Sequence, residues 1–367
     1  MSSNIELSII VPCYNAEKYI NRCLDSLVNQ QLSCYEVICV NDASTDNTLE
    51  CLKEYSKNHP IIRVINHEKN KRQGGARNTG IRNAKGKYIG FVDIDDSVNS
   101  QMYSTLYKEA IKFDLDVVDC DYVTIETNGK QIESHISYED IHNDIDNDFR
   151  KRLITCGGSV WCKIYKKDFL LKNNLFFPEG VFYEDNYFVP MVYAHMASYS
   201  YIRQCLYNYY TNSTSTTHKK NSNFLYDRFI IAQKLISDFK LYNLDSIYRE
   251  ELNFLVTLNS FSGTIFMCMN NYTYVNYDLL NKSRKFILEY LPNFTSNRWY
   301  NYKYNNTQKI LLLIAKTNIC SFVIIYKFLE YIKPAVKRLI KKNEKLAFIF
   351  LFSPKENYKP MSTSYKD

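Results

Sequence analysis

Glycine is scarce, at 10 of 367 residues, and the eleven cysteines never form a C-x-x-C pair. So little glycine excludes a collagen-like chain. The cysteines are odd in number and scattered from Cys13 to Cys320, and several lie inside apolar runs such as Val37-Ile-Cys-Val40. They read as small core residues in a reducing compartment, not as a disulfide frame or a zinc site. There is no G-x-G-x-x-G, which argues against a dinucleotide enzyme, and no G-x-x-x-x-G-K-[S/T], which argues against a phosphate-loop ATPase. Residues 1–6 are polar and the first apolar run is only Leu7-Ser-Ile-Ile-Val11, so no secretory leader is expected and the chain is placed in the cytoplasm or facing it. Internal repeats and low-complexity linkers are also missing.

What remains is an ordinary globular composition. Hydrophobic residues make up 46% and charged residues 23%, enough for one large domain or two compact ones. The 32 Tyr and 21 Phe against 2 Trp read as compositional drift and carry little functional weight. Net charge is +7 and uneven: residues 308–367 hold twelve Lys/Arg and four Asp/Glu, whereas the preceding 307 residues are close to neutral. A nucleic-acid binder would place its positive charge on the main domain, so no nucleic-acid partner is expected.

The first 125 residues alternate strand and helix signals. Residues 7–12, 35–40, 61–65 and 87–92 read as strands; residues 15–30, with Asn15 as N-cap, 48–58 and 74–84 read as helices. This alternation predicts an α/β fold, a parallel sheet with helices on both faces, and such sheets bind ligands at the carboxyl ends of their strands. From about residue 126 the chain turns to short polar segments and isolated aromatic strands. After about 222 it reads as mainly helical, over 223–241, 246–269, 278–291 and 307–340, the last interrupted at Pro334. The division expected is residues 1–220, in two parts (1–125 and 126–220), followed by a helical region, 221–367, with a basic tail.

Polar residues collect just after three strands. The first delivers Pro12, Tyr14, Asn15 and Glu17, the second Asp42, Ser44 and Asp46, and the fourth Asp93, Asp95 and Asp96. Any one of these groups is explained by capping or by a solvated turn. Their repetition at successive strand ends is not.

The set resembles family 2 glycosyltransferases of the GT-A fold. It is carried by Ile9-Ile-Val-Pro-Cys-Tyr-Asn15, Val40-Asn-Asp-Ala-Ser-Thr-Asp-Asn-Thr48, Gly74-Gly-Ala-Arg-Asn-Thr-Gly80 and Tyr88-Ile-Gly-Phe-Val-Asp-Ile-Asp-Asp96. It continues through Trp161-Cys-Lys-Ile-Tyr165 and Phe176-Phe-Pro-Glu-Gly180 to Tyr183-Glu-Asp-Asn186 and covers residues 6–215. The resemblance implies an inverting, metal-dependent hexosyl transfer from a nucleotide sugar, the donor being a UDP-sugar, to a hydroxyl of a bacterial surface polysaccharide or lipid-linked glycan. It places Asp95 on Mn²⁺ or Mg²⁺, Asp93 near the ribose, Asp42 at the uracil N3–H, and Pro12, Tyr14 and Glu17 around base and ribose. Arg77 falls beside the phosphates, and Gly74 and Gly75 let backbone approach the ligand. Asp185, with Glu184 as second candidate, falls where the family keeps its general base; first-turn acids complementing a helix dipole are the plain alternative. Lys163 and Trp161 line the acceptor or phosphate side, and His218 is a candidate late metal ligand. Ile94 departs from the commoner small residue between the acids. No second transferase module is present, against a bifunctional polymerase.

Two other classes stay open at this level. One is a non-catalytic nucleotide-sugar-binding partner in a glycan assembly complex; the other is a nucleotidyltransferase, separated by release of pyrophosphate. The tail is open as well. Residues 327–345 hold seven basic and two acidic residues and precede Leu346-Ala-Phe-Ile-Phe-Leu-Phe352. Such a segment either lies peripherally on the inner face of the cell membrane or packs on the domain or a second subunit of a homo-oligomer.

Overall fold

The computed structural model describes residues 5–135, 146–211 and 220–342, with the side chains of the last helix described as far as Pro334. These residues fall into two compact units, one up to residue 211 and one from residue 220.

The first unit runs β1 (Leu7–Cys13), α1 (Ile20–Val28), β2 (Tyr35–Asn41), α2 (Thr48–Asn58), β3 (Ile62–Asn66), α3 (Arg72–Asn83) and β4 (Tyr88–Phe91). It continues with β5 (Ser97–Val98), α4 (Met102–Phe113), β6 (Val117–Ile125), β7 (Gln131–Ser134), α5 (Asn147–Cys156), β8 (Lys163–Lys166), α6 (Lys167–Lys172), α7 (Asp185–His195) and β9 (Tyr199–Tyr210). One sheet holds the order β3-β2-β1-β4-β8-β6-β9-β5, with β7 on β6. The first four strands are parallel, as the alternation predicts. The sheet as a whole is mixed, which corrects the parallel expectation: β8 runs antiparallel to both β4 and β6, and β5 antiparallel to β9. β8 is the four-residue Lys-Ile-Tyr-Lys, with no strand–helix rhythm to announce its direction.

Both faces of β1 are buried. Leu7, Ile9 and Val11 join Ile20, Leu24, Leu27 and Leu52 in the main core. On the opposite face α3 comes so near that a Cβ at Gly80 would sit 2.3 Å from Ile10 Cγ2; only glycine allows that approach. β4 pairs with β1 only from Leu7 to Ile10, while β2 pairs to its last residue. Pro12, which cannot donate to a ladder, therefore lies where β1 has lost its β4 partner. All eleven cysteines are unpaired and six are buried, in keeping with core packing.

The second unit is helical: α8 (Asp227–Leu241), α9 (Arg249–Thr257), α10 (Gly263–Asn271), α11 (Tyr277–Tyr290), α12 (Arg298–Lys303), α13 (Asn306–Thr317) and α14 (Ile319–Lys342). A wide turn, Leu258–Ser262, joins α9 to α10, and buried Arg228 covers its carbonyls, donating to Asn259 O (3.2 Å) and Leu258 O (2.9 Å). The run Arg249–Asn271 is long and apolar enough to cross a membrane, but about two thirds of it is buried inside this unit. The interruption expected at Pro334 falls instead at Asn318. There the side chain leaves the ladder to accept the Ser321 N–H (2.9 Å) and start α14, which then continues through exposed Pro334.

Candidate active site

The loops leaving β1 and β2 are tied to each other. Asn15 takes a left-handed conformation (φ 49°), donates its N–H to Ser44 Oγ (3.0 Å) and accepts the Thr45 N–H (2.8 Å). Ala16 N–H meets Thr48 Oγ1 (2.7 Å), and Glu17 accepts the Asn47 N–H (3.1 Å). Asn15 is therefore a loop tether and not the N-cap of α1, which begins at Ile20. Pro12 is buried at the base of this rim, and Tyr14 and Glu17 stand exposed on it.

Asp42 lies at the foot of the rim, 2% exposed. Its Oδ1 faces His67 Nδ1 at 2.7 Å and accepts the Lys71 N–H (2.8 Å), while His67 Nε2 faces Thr79 Oγ1 at 2.9 Å. Thr79 has a hydroxyl to give, which leaves His67 Nδ1–H for the carboxylate. Among the described residues Oδ2 has no hydrogen-bond partner, which leaves one held acceptor for a ligand. His67 went unnoticed in the sequence because nothing local ties it to an acid 25 residues earlier.

The acidic run after β4 divides its labour. Asp96 is buried and turned into the fold, accepting Tyr207 O–H (2.7 Å) and the Tyr210 N–H (2.8 Å) from β9. Asp93 Oδ1 accepts Gln73 Nε2 (2.7 Å) and Arg77 Nη2 (2.8 Å). The Asp95 carboxylate makes no hydrogen bond to another residue among those described; its carbonyl accepts Arg22, whose guanidinium lies 3.8 Å over the Tyr210 ring and whose charge also draws on the carboxylate. Burial, reinforced by the charge of Asp93, pushes the Asp95 carboxyl up to about 6. A carboxylate beside Asp93, with no hydrogen bond from another side chain, fits a hard divalent cation with open positions for phosphate and water. Asp121, His135 and Cys205 also gather donor atoms within 4.8 Å, but Asp121 already faces His135 Nδ1 (3.0 Å) and accepts Tyr201 O–H.

Arg77 joins the acidic run to the start of α7. It is buried, and its other terminal nitrogen donates to Glu184 Oε1 at 2.6 Å. Burial pushes the Glu184 carboxyl upward against the pull of Arg77, and neighbouring Asp185 adds to the rise. Asp185 itself is half-buried in the first turn of α7 and accepts the Asn186 N–H (2.8 Å). The two acids thus occupy different environments.

Three of the expected site residues or pairs have partners within the protein. Arg77 spends its guanidinium on two carboxylates and stands beneath the site as a post. The glycine pair serves packing between chain segments: a Cβ at Gly74 would lie 2.3 Å from Pro178 O, and one at Gly75 would lie 2.4 Å from Lys71 Cβ. Asn78 completes that joint, bonding Phe177 N–H and O, both at 2.9 Å. Lys163 is fully buried on β8 and paired with Asp119 at 2.6 Å, so its amine does not line an acceptor surface. Trp161 stacks on Tyr207 (4.1 Å between centroids) beside Tyr209, next to the Asp93 turn. His218 lies outside the described residues. Arg22, Gln73 and Tyr207 belong to the site and carried no signal in the sequence.

Residues 8–172 match the family model "Glycosyl transferase family 2". The chain is 34% identical over 250 residues to the uncharacterized glycosyltransferase YibD of Escherichia coli K12, covering 63% of this chain and 70% of that protein. It is 35% identical over 180 residues to the poly(ribitol-phosphate) beta-glucosyltransferase of Bacillus spizizenii, covering 48% of this chain and 27% of that one. In fold it is similar to S. aureus TarS 1–349 solved in complex with UDP-GlcNAc, at TM-score 0.66 and 23% identity over 90% of this chain and 92% of that chain. A mixed sheet with acids at its strand ends, a matching family model and these relatives lead to one assignment: the chain belongs to the family 2 glycosyltransferases and is a glycosyltransferase of the GT-A fold.

Proposed function

We propose that the protein transfers a hexosyl group, with inversion, from a UDP-sugar to a hydroxyl of a bacterial surface polysaccharide or lipid-linked glycan. The observation that carries this reading is the division of acids around Arg77: Asp93 and Glu184 neutralised by it, Asp95 left without a hydrogen bond from another side chain. Asp42 presents one carboxylate oxygen that suits the N3–H of uracil, with Pro12 and Tyr14 as walls and Glu17 bracing the rim. Asp93 retains Oδ2 for a ribose hydroxyl. Asp95 would hold Mn²⁺ or Mg²⁺, which supplies charge neutralisation to the departing diphosphate. Asp185, in the first turn of α7, takes the proton of the attacking hydroxyl; Glu184 holds Arg77 in place. Trp161, stacked on Tyr207 and Tyr209, lines the acceptor side.

The similarity to a protein named as a poly(ribitol-phosphate) beta-glucosyltransferase and to a fold solved with UDP-GlcNAc supports a uridine donor and a cell-surface acceptor. A cytoplasmic donor pool puts the reaction in the cytoplasm, at the inner face of the membrane when the acceptor is lipid-borne. The test is a panel of nucleotide sugars with Mn²⁺, read by melting temperature and by released nucleotide. A UDP-sugar at about 100 times its Kd should stabilise the fold by about 2.7 kcal/mol, and UDP should be released. Release of pyrophosphate, or no response to any nucleotide sugar, contradicts the proposal.

A further inference from the structure

The last two described helices each bury one apolar stripe and expose another. On α14 the inward positions are Ile319, Phe322, Val323 and Tyr326, none more than 5% exposed. Roughly half a turn away, at i, i+4 and i+7, Ile324, Phe328 and Tyr331 are 67%, 58% and 83% exposed. On α13, Ile310 and Leu313 are 57% and 45% exposed. A helix that only packs on its own unit sets polar residues on its outer face; here that face is apolar and aromatic.

Charge identifies the occupant. Residues 306–342 carry eight Lys/Arg and one acid, Glu330, and exposed Lys327 adjoins the apolar stripe. In sequence, the basic positions 337, 338, 341 and 342 continue α14 past the stripe, and the apolar run Leu346-Ala-Phe-Ile-Phe-Leu-Phe352 follows. A second copy docking on this face would set two strongly basic segments against each other. An anionic bilayer surface complements both features at once: aromatic and aliphatic side chains enter the interface while lysines meet the headgroups. The other long apolar run, Arg249–Asn271, is not the contact, because it forms the core of the unit.

We propose that the outer face of α13 and α14, centred on Ile324 and Phe328, docks this protein on an anionic lipid bilayer. The inference is independent of the donor and acceptor assigned above. The full chain is mixed with phosphatidylcholine vesicles, with or without phosphatidylglycerol, and floated at low and high salt. It should float with the anionic vesicles, and at least about fivefold less with neutral ones or in high salt. The double variant Ile324→Glu/Phe328→Glu should lose at least about fivefold of the vesicle-bound fraction, with melting temperature and donor hydrolysis unchanged because both side chains are exposed. If that variant unfolds, Phe328→Ser/Tyr331→Ser is judged by the same criteria. A full chain that stays soluble beside anionic vesicles, or a folded variant that floats undiminished, overturns the proposal. So does light scattering that shows a dimer in the full chain and a monomer in the variant with no vesicle binding by either.

Discussion

Arg77 and Glu184 stand 107 positions apart in the chain and meet at 2.6 Å, inside the fold. The same guanidinium holds Asp93 at 2.8 Å, so one buried cation fixes the distance between the strand-end acids and the first turn of α7. The turn after β4 and the start of α7 are held together by this contact.

Removing it should be costly. Arg77→Met leaves two carboxylates in a buried setting without their cation, and breaking a buried pair from one side costs about 3–5 kcal/mol. Urea unfolding should show a loss of that order; a loss below about 1 kcal/mol would place the pair among exposed, weak ones.

Asp95→Asn should abolish transfer while sparing the fold, because burial and Asp93 disfavour the lost charge and no hydrogen bond from another side chain depends on it. The fall should exceed about 10²-fold, as expected when several kcal/mol of metal-borne stabilisation is lost. EDTA should silence the parent protein and Mn²⁺ restore it, whereas the variant should respond to neither. Undiminished turnover in EDTA rejects the metal role.

Asp185→Asn and Glu184→Gln should fail in different ways. The first should lower kcat by about 10²-fold or more with donor affinity kept, the usual scale for a general base. The second should lower the melting temperature, because Arg77 loses its anionic partner. Parallel loss of donor affinity and rate in Asp185→Asn would make that residue part of the donor site.

His67→Gln should weaken binding of UDP more than it lowers kcat. His67 holds Oδ1 of Asp42 and so aims Oδ2, and a glutamine replaces that hold poorly. Competition by UDP and CDP is the informative measurement: the preference for UDP should shrink. An equal loss for both nucleotides would assign His67 to folding alone.

Acid should loosen α7 from its far end. Burial holds His195 below the usual imidazole range, outweighing the bond from Nδ1 to Met191 O (2.8 Å). A folded-state value below the unfolded one means that its stabilising contribution is present above about pH 6.5 and is lost as pH falls. Melting temperature followed from pH 7.5 down to 5 should decline, and less steeply in His195→Gln. Identical slopes would remove His195 as the source.

The sequence by itself determined the parallel half of the sheet, the strand ends at which the acids sit, and the family those motifs spell. Each depends on periodicity and on turn residues within about a dozen positions, which is the range over which local sterics and capping act. Tertiary structure alone decided the rest. Asp95 and Asp96 are adjacent and chemically the same, yet Tyr207 and Tyr210 of β9 claim one and leave the other open. Arg77 likewise claims Glu184, at 2.6 Å. Lys163 was read as a ligand-facing cation, but it is buried against Asp119, 44 positions earlier. A side chain's role at such positions is set by which partner from a distant segment satisfies its charge, and pairings between segments 40 to 110 residues apart leave no local trace in the order of residues.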